Sequence, residues 1–188
     1  MIPYIDENHL SDKRVLLRVD FNVSLNPDHT ISNDERIRKA LPTIEHLLSH
    51  GNRIVLVSHL GRPKGERNPD FSLQVVVDKL KEYIPDKNII LIDDFLKEPP
   101  ERFQNQDHGE ILVLENIRYY PEEKKNDDAF SQKLAQLGEV YVNDAFGVSH
   151  RAHASVVGVT KHADSYGGLL LKKEVEMIRR VIEDPKKP

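Results

Sequence analysis

The sequence predicts an α/β protein: a doubly wound parallel sheet with helices on both faces. Two observations carry this. Five short runs rich in Val, Ile and Leu are almost continuously apolar, as strands buried on both faces are. Segments with apolar residues at three- and four-residue steps lie between them, and this alternation is that of strand–helix–strand crossovers. The chain has 188 residues. That fits one domain over 1–188 at about 150 residues per domain, and a chain of this size can bury about two-thirds of its unfolded surface.

The first run is Val15–Val19. In Asp34–His50 the residues Ile37, Ala40, Leu41, Ile44, Leu47 and Leu48 form one helical face, Ser32 and Glu35 have capping-box spacing, and Gly51 is a C′ stop. Pro42 removes the backbone bond to the Arg38 carbonyl, so a kink or a short separate first segment is expected there. The second run is Arg53–Val57, and Ser72 can cap a helix carrying Leu73, Val76, Val77 and Leu80. The third and fourth runs are Asn88–Ile92 and Glu110–Leu114. Asn126 or Asp127 can open a helix with Phe130, Leu134 and Leu137 before the fifth run, Val140–Val142. A last helix places Leu171, Val175, Ile178 and Ile182 on one stripe. Gly61–Pro69 and Lys97–Gly109 read as long loops, and Glu183–Pro188 as a helix end running into a linker.

Composition excludes several classes of function. Lys and Arg number 27 and Asp and Glu 31, giving a net charge of −4, which argues against a general nucleic-acid or anionic-membrane binder. The absence of Cys excludes disulfide scaffolds, thiolate metal sites and thiol nucleophiles. The N-terminus has no basic and apolar leader pattern, and no apolar run approaches about 18 residues, so a cytoplasmic location is expected by default.

In an open parallel sheet, ligands bind beyond the carboxyl ends of the strands. Those ends carry Asp20-Phe21-Asn22, Ser58-His59-Leu60-Gly61-Arg62, Asp93-Asp94, Glu115-Asn116-Ile117-Arg118 and Asn143-Asp144, followed by His150-Arg151-Ala152-His153. Arg36 opens the helix after the first strand. Arg36, Arg62, Arg118 and Arg151, with three histidines, thus fall on one rim of an acidic protein, as an anion site requires. The planar fork of Arg suits phosphate or carboxylate, and several forks suit a ligand with more than one anionic group. Plainer readings stand beside these. Asp20 and Asn22 can simply make Asx turns, Gly61 and Gly147 can serve tight turns, and a strand-end Arg can be solvated. His150 and His153 have metal-pair spacing but no third ligand near them, and Ser58, His59 and Asp20 lack the G-x-S-x-G of a nucleophile elbow. Neither G-x-x-x-x-G-K-[ST] nor G-x-G-x-x-G is present, so no nucleotide cradle and no metal site is assigned to this chain.

Six stretches make the chain resemble the N-terminal domain of phosphoglycerate kinases: RVLLRVDFNV (Arg14–Val23), ERIRKALPTI (Glu35–Ile44), SHLGRPKG (Ser58–Gly65), LENIRYYPEE (Leu114–Glu123), YVNDAFGVSHRAHAS (Tyr141–Ser155) and GLLLKKEVEMI (Gly168–Ile178). The resemblance implies a Rossmann-like sheet of about six strands, with Ser155–Val159 as the sixth. It implies 3-phosphoglycerate or 1,3-bisphosphoglycerate as ligand. Asp20 and Asn22 would face the glycerate hydroxyl and carboxylate. His59, Arg62, Arg118 and Arg151 would grip the distal phosphate, with Leu60 and Gly61 shaping that loop and Phe21 and His150 beside them. Arg36 would be the catalytic residue at the carboxyl group that exchanges the phosphoryl group. Ser24 stands where the family's first motif usually has Pro. The family's Mg-ATP or Mg-ADP domain, with its Gly-Gly-Ala-Lys type segment, is not matched. The chain is therefore read as the substrate-binding half, monomeric and inactive alone, with the other half supplied in cis or in trans. Two rivals remain: a stand-alone anion-binding module, and a phospho-receiver domain with Asp93 as acceptor. In the latter, Asn143-Asp144 occupy the place of the required Lys.

Overall fold

A computed structural model describes residues 2–183. In chain order the elements are β1 (Arg14–Arg18), β2 (Ser24–Leu25), β3 (Ile31–Asn33), α1 (Glu35–Ser49), β4 (Arg53–Val57), α2 (Gln74–Tyr83), β5 (Asn88–Ile92), α3 (Pro100–Gln104), β6 (Glu110–Leu114), α4 (Pro121–Lys125), α5 (Asp128–Ala135), β7 (Val140–Asn143), β8 (Ser165–Gly167) and α6 (Leu169–Glu183). Six strands form one parallel sheet in the order β5-β6-β4-β1-β7-β8. The chain leaves β1 for β4 on one side and later places β7 on the other. β1 is therefore where the winding reverses, and the crevice beyond its carboxyl end is where ligands of such sheets bind.

Strand side chains alternate between faces, and the two cores divide accordingly. Val15 and Leu17 pack with Ile37, Ile44 and Leu47 of α1 and Val76 and Leu80 of α2. Leu16, Val55 and Tyr141 pack on the opposite face with Phe103 of α3 and Phe130 and Leu134 of α5. The apolar runs of the sequence are these strands because both faces are covered.

Several details differ from the sequence reading. Ser32 does not cap α1. It lies in β3, paired with β2, and its hydroxyl donates to the Ser24 carbonyl at 3.0 Å, while Asn33 Oδ1 accepts from the Glu35 amide at 2.8 Å. α1 runs through Pro42 without a separate first segment, because Ile37 and Ala40 before it and Ile44 and Leu47 after it are buried in one core. Gly51 follows the helix at φ +72°, its amide bonded to the Leu48 carbonyl at 3.0 Å. Ser72 is not the cap of α2: Leu73 holds that position, its carbonyl accepting the Val76 and Val77 amides, while Ser72 one residue earlier accepts from the Gln74 amide at 3.2 Å and donates to Glu115. Asp127 opens α5 by accepting from the Phe130 amide at 2.8 Å. The stretch 97–109 contains α3, which Pro100 starts and Phe103 anchors in the core.

Ser155–Val159 is not the sixth strand. Its backbone turns instead, with the Val157 amide on the His153 carbonyl and the Val159 amide on the Ala154 carbonyl, and it leads into a 3-10 turn at Gly158–Lys161. The sixth strand is β8, only Ser-Tyr-Gly, held by parallel pairing to β7. The stripe on α6 is buried only at Leu171, while Ile178 and Ile182 are exposed, because the helix meets α1 and the 3-10 turn Phe146–Val148 mainly through its first turns. The Pro- and Lys-rich string at 184–188 lies outside the described residues.

Two substitutions test this layering. Leu56→Ala, in a fully buried central position, should cost about 2–5 kcal/mol in urea unfolding. Val181→Ala, on the exposed side of α6, should stay within about 0.5 kcal/mol. Equal effects would contradict the assignment of core and surface.

Candidate functional site

The site is built around charge placed inside the protein. Arg18 ends β1 and is 1% exposed. A buried guanidinium is tolerated only when its hydrogens are matched. Arg18 Nε donates to Ser155 Oγ at 3.0 Å, one terminal nitrogen donates to the Val19 carbonyl, and the other lies 3.3 Å from His59 Nδ1. Ser155 then donates from its hydroxyl to Glu123 Oε1 at 2.7 Å and from its amide to Oε2 at 2.8 Å. Glu123 is fully buried. Burial raises its pKa, opposed chiefly by Arg18 and the Ser155 hydrogen bonds.

His59 follows β4 and is 2% exposed. Burial, then Arg18, Arg118, Arg151 and Arg36 in that order, push its pKa down to about 2, so the ring is neutral. Four guanidiniums therefore act on one imidazole. Arg118 is also buried. Its pKa falls to about 10 through burial, then Arg151 and Arg18, while Glu123 and Asp20 oppose the shift. Four cations against two carboxylates leave a positive surplus here in a chain of net charge −4.

Gly61 fixes the geometry of the rim. Its φ of +61° suits glycine, and a Cβ would run into the Phe71 ring. Its amide donates to Asn22 Oδ1 at 2.8 Å and its carbonyl accepts from Arg118 at 2.9 Å, so it joins the loops after β1, β4 and β6. Asn116 locks the same junction, donating to the carbonyls of Leu60 at 2.7 Å and Phe71 at 2.8 Å while accepting the Arg118 amide at 3.1 Å. Glu115 accepts from Ser72 Oγ and the Leu73 amide, which ties the start of α2 to the end of β6.

Asp20 does two things at once. One oxygen accepts the Asn22 amide at 3.1 Å as an Asx turn, and the other pairs with Arg36 in the first turn of α1. Phe21 and Leu60 are core residues, and the Phe21 amide donates to Ser58 Oγ at 2.8 Å. Arg62 is exposed one residue beyond Gly61. Arg151 is half-buried and its Nε donates to Nε2 of exposed His150 at 3.3 Å. His153 lies 3.6 Å from Glu123, its pKa lowered to about 4 by burial and then by Arg118, Arg151 and Arg18. Among the described residues no three His, Asp or Glu side chains are grouped to hold a metal ion.

The structure thus brings Asp20, Asn22, Arg36, His59, Gly61, Arg118 and Arg151 to one crevice. Phe21 and Leu60 support it from the core, His150 is exposed against Arg151, and Arg62 is exposed next to Gly61 in the chain. The sequence reading missed Arg18, Glu123 and Ser155. The signal available was an arginine at the end of a strand whose other residues are apolar, since charged residues are rarely buried unless paired.

Beside Arg36 a cleft of about 310 Å3 is lined by Asp20, Asp144, Gly147 and Leu170, among others. Asp144 Oδ1 accepts the amides of Leu170 at 2.9 Å and Leu171 at 3.2 Å, which fixes the start of α6, while Oδ2 has no hydrogen-bond partner. Burial pushes this carboxyl up to about 6, against the hydrogen bonds from those amides.

Comparison with known proteins bears on this geometry. The sequence profile of the family described as "Phosphoglycerate kinase" matches residues 5–188. A phosphoglycerate kinase from Coprothermobacter proteolyticus is 46% identical over 98% of this chain and 47% of its own length. One from Dictyoglomus turgidum is 47% identical over 97% of this chain and 46% of its own. The solved structure of phosphoglycerate kinase from Coxiella burnetii superposes with a TM-score of 0.86 at 36% identity, covering all of this chain and 47% of that one. The chain spans about half the length of the relatives it matches.

Asp144 yields a pH prediction. Its folded pKa of about 6 lies above the unfolded value, so the folded state holds the extra proton and this group lowers stability as pH rises from about 4 to 6. Asp144→Asn should therefore gain melting temperature relative to the parent at pH 7.5 compared with pH 5. A difference that does not change with pH would contradict the assignment.

Proposed function

The chain belongs to the phosphoglycerate kinase family, and from that premise we propose that its basic crevice holds 3-phosphoglycerate or 1,3-bisphosphoglycerate for phosphoryl transfer. The observation that carries this reading is the convergence of Arg18, Arg36, Arg118 and Arg151 on His59, at the winding reversal of the sheet, in an acidic protein. A two-ended anionic ligand suits this layout. Arg62, Arg118 and Arg151 face the distal phosphate, and Asp20, Asn22 and Arg36 face the glycerate end, beside the cleft toward Asp144 and Gly147.

In the reaction proposed for the whole enzyme, the acyl oxygen–phosphorus bond of 1,3-bisphosphoglycerate breaks and the phosphoryl group passes to a terminal oxygen of ADP, giving 3-phosphoglycerate and ATP. Such transfer runs through a loose transition state, so the protein contributes position and positive charge. Arg36 is the catalytic residue in this reading. Its side chain is half-exposed and held by Asp20, so it can turn to oxygens of the moving group. The clamp on the remote phosphate orients the reacting carboxyl group. The co-substrate Mg-ATP or Mg-ADP is not assigned to these residues. The backbone amides of the turn after β1 are bonded within the protein, that of Phe21 to Ser58 Oγ, that of Asn22 to Asp20 Oδ1 and that of Val23 to the Phe21 carbonyl, so they form no cradle for a nucleotide phosphate.

Titration calorimetry on the 188-residue chain should show weak saturable binding of 3-phosphoglycerate, and a coupled assay should show no turnover by the chain alone. No heat at millimolar ligand would sink the reading. Arg62→Ala should weaken binding roughly tenfold to a hundredfold, the range for losing a hydrogen bond to a charged group. Affinity should also fall with added salt, because these contacts are ionic and partly exposed.

A further inference from the structure

Deep to the rim runs a chain of contacts whose far end touches no ligand position: Glu123 of α4, Ser155, Arg18 of β1 and His59 after β4. We propose that Glu123, acting through Ser155 and Arg18, is a positioning residue that fixes the tautomer of His59 and thereby sets the anion site. The inference rests on the reading of this crevice as an anion site, and its direct readout does not.

The direction of each bond follows from its chemistry. Arginine has only donors, so the 3.3 Å contact between Arg18 and His59 Nδ1 makes Nδ1 the acceptor, and the single hydrogen of the neutral ring must sit on Nε2. Arg18 Nε likewise needs an acceptor, which is Ser155 Oγ at 3.0 Å. That hydroxyl must then spend its own hydrogen elsewhere, and Glu123 Oε1 takes it at 2.7 Å. Oε2 takes the Ser155 amide at 2.8 Å, so the carboxylate holds Ser155 at two points. Each link has one polarity only: Arg18 donates at both of its contacts, and the two Glu123 oxygens accept both bonds from Ser155. Sequence separations of 32, 137 and 41 residues show that the contacts are tertiary, made by the fold rather than by a local turn.

The charged surroundings agree. His59 faces Arg18 from β1, Arg36 from α1, Arg118 from the 3-10 turn after β6, and Arg151, and burial with these cations keeps the ring neutral. Glu123 faces Arg18, Arg118 and His153. Two roles for Glu123 therefore make opposite predictions. A mere counter-charge dilutes the positive surplus, so neutralising it would tighten anion binding. A positioning residue orders Arg18 and His59, so neutralising it loosens them and weakens binding.

The test uses nitrogen-15 NMR of the histidine rings in the 188-residue chain, with His59 assigned through His59→Gln, and 3-phosphoglycerate titration of the same samples. The parent should show His59 as the neutral Nε2–H tautomer throughout pH 5–8. Glu123→Gln removes the charge. Ser155→Ala breaks the relay with the charge left in place, and it covers the case in which the glutamine variant does not fold. Both should mix the two His59 tautomers and weaken 3-phosphoglycerate binding about five- to tenfold, the loss expected for one hydrogen bond. A Nδ1–H tautomer in the parent would overturn the proposal, as would an unchanged His59 spectrum in both variants. Tighter binding in Glu123→Gln with an unchanged His59 spectrum would assign Glu123 the counter-charge role and overturn it too. A parent with the expected tautomer but no 3-phosphoglycerate binding would overturn the substrate reading and leave the relay standing.

Discussion

Burial of positive charge at the carboxyl end of β1 is the constraint on which the rest of this structure depends. Arg18 and Arg118 are both enclosed, and a guanidinium withdrawn from water is tolerable only if its hydrogens find acceptors. That requirement explains why a serine and a glutamate are buried together beside β1, and why the Gly61 carbonyl is turned toward Arg118. Neutralisation is partial. Asp20 and Glu123 offset some of the cationic charge and leave a surplus that an incoming anion would complete.

The loops that hold this surplus are tied to each other more than to solvent. Asn22, Gly61, Asn116 and Arg118 bond across the ends of three strands, and Glu115 anchors the start of α2. Preorganisation of this kind keeps the ordering of the rim from being charged against ligand affinity. On the other side of β1, Asp144 holds the first amides of α6 by one oxygen, so the cleft beside Arg36 is walled by the start of the last helix.

Much of the architecture was legible in the sequence because burial on two faces leaves a plain record. Leu16, Val55 and Leu112 sit in uninterrupted apolar runs and became adjacent strands in register. The α1 stripe was readable for the same reason. β8 left no such record, since Ser-Tyr-Gly is neither long nor apolar and is a strand only because β7 supplies its partners. Ser155–Val159 misled in the opposite direction. It looks like a strand, yet its backbone is committed to turns and its first residue to Glu123. The rim arginines could be found because they follow strand ends directly. Arg18 left only the trace of a charge closing an apolar strand, and Ser155 and Glu123 left none, because their roles arise from contacts spanning 32 and 137 residues that no local pattern encodes.

The most direct measurement is a crystal structure of this chain with 3-phosphoglycerate. The ligand phosphate should be hydrogen-bonded to Arg118 and Arg151 and its carboxylate should face Arg36, with Arg18 still bonded to Ser155 and His59. Density for the ligand elsewhere, for instance in the groove between β3 and α2 lined by Ser32, Arg38 and Lys79, with the crevice beyond β1 empty, would contradict this placement.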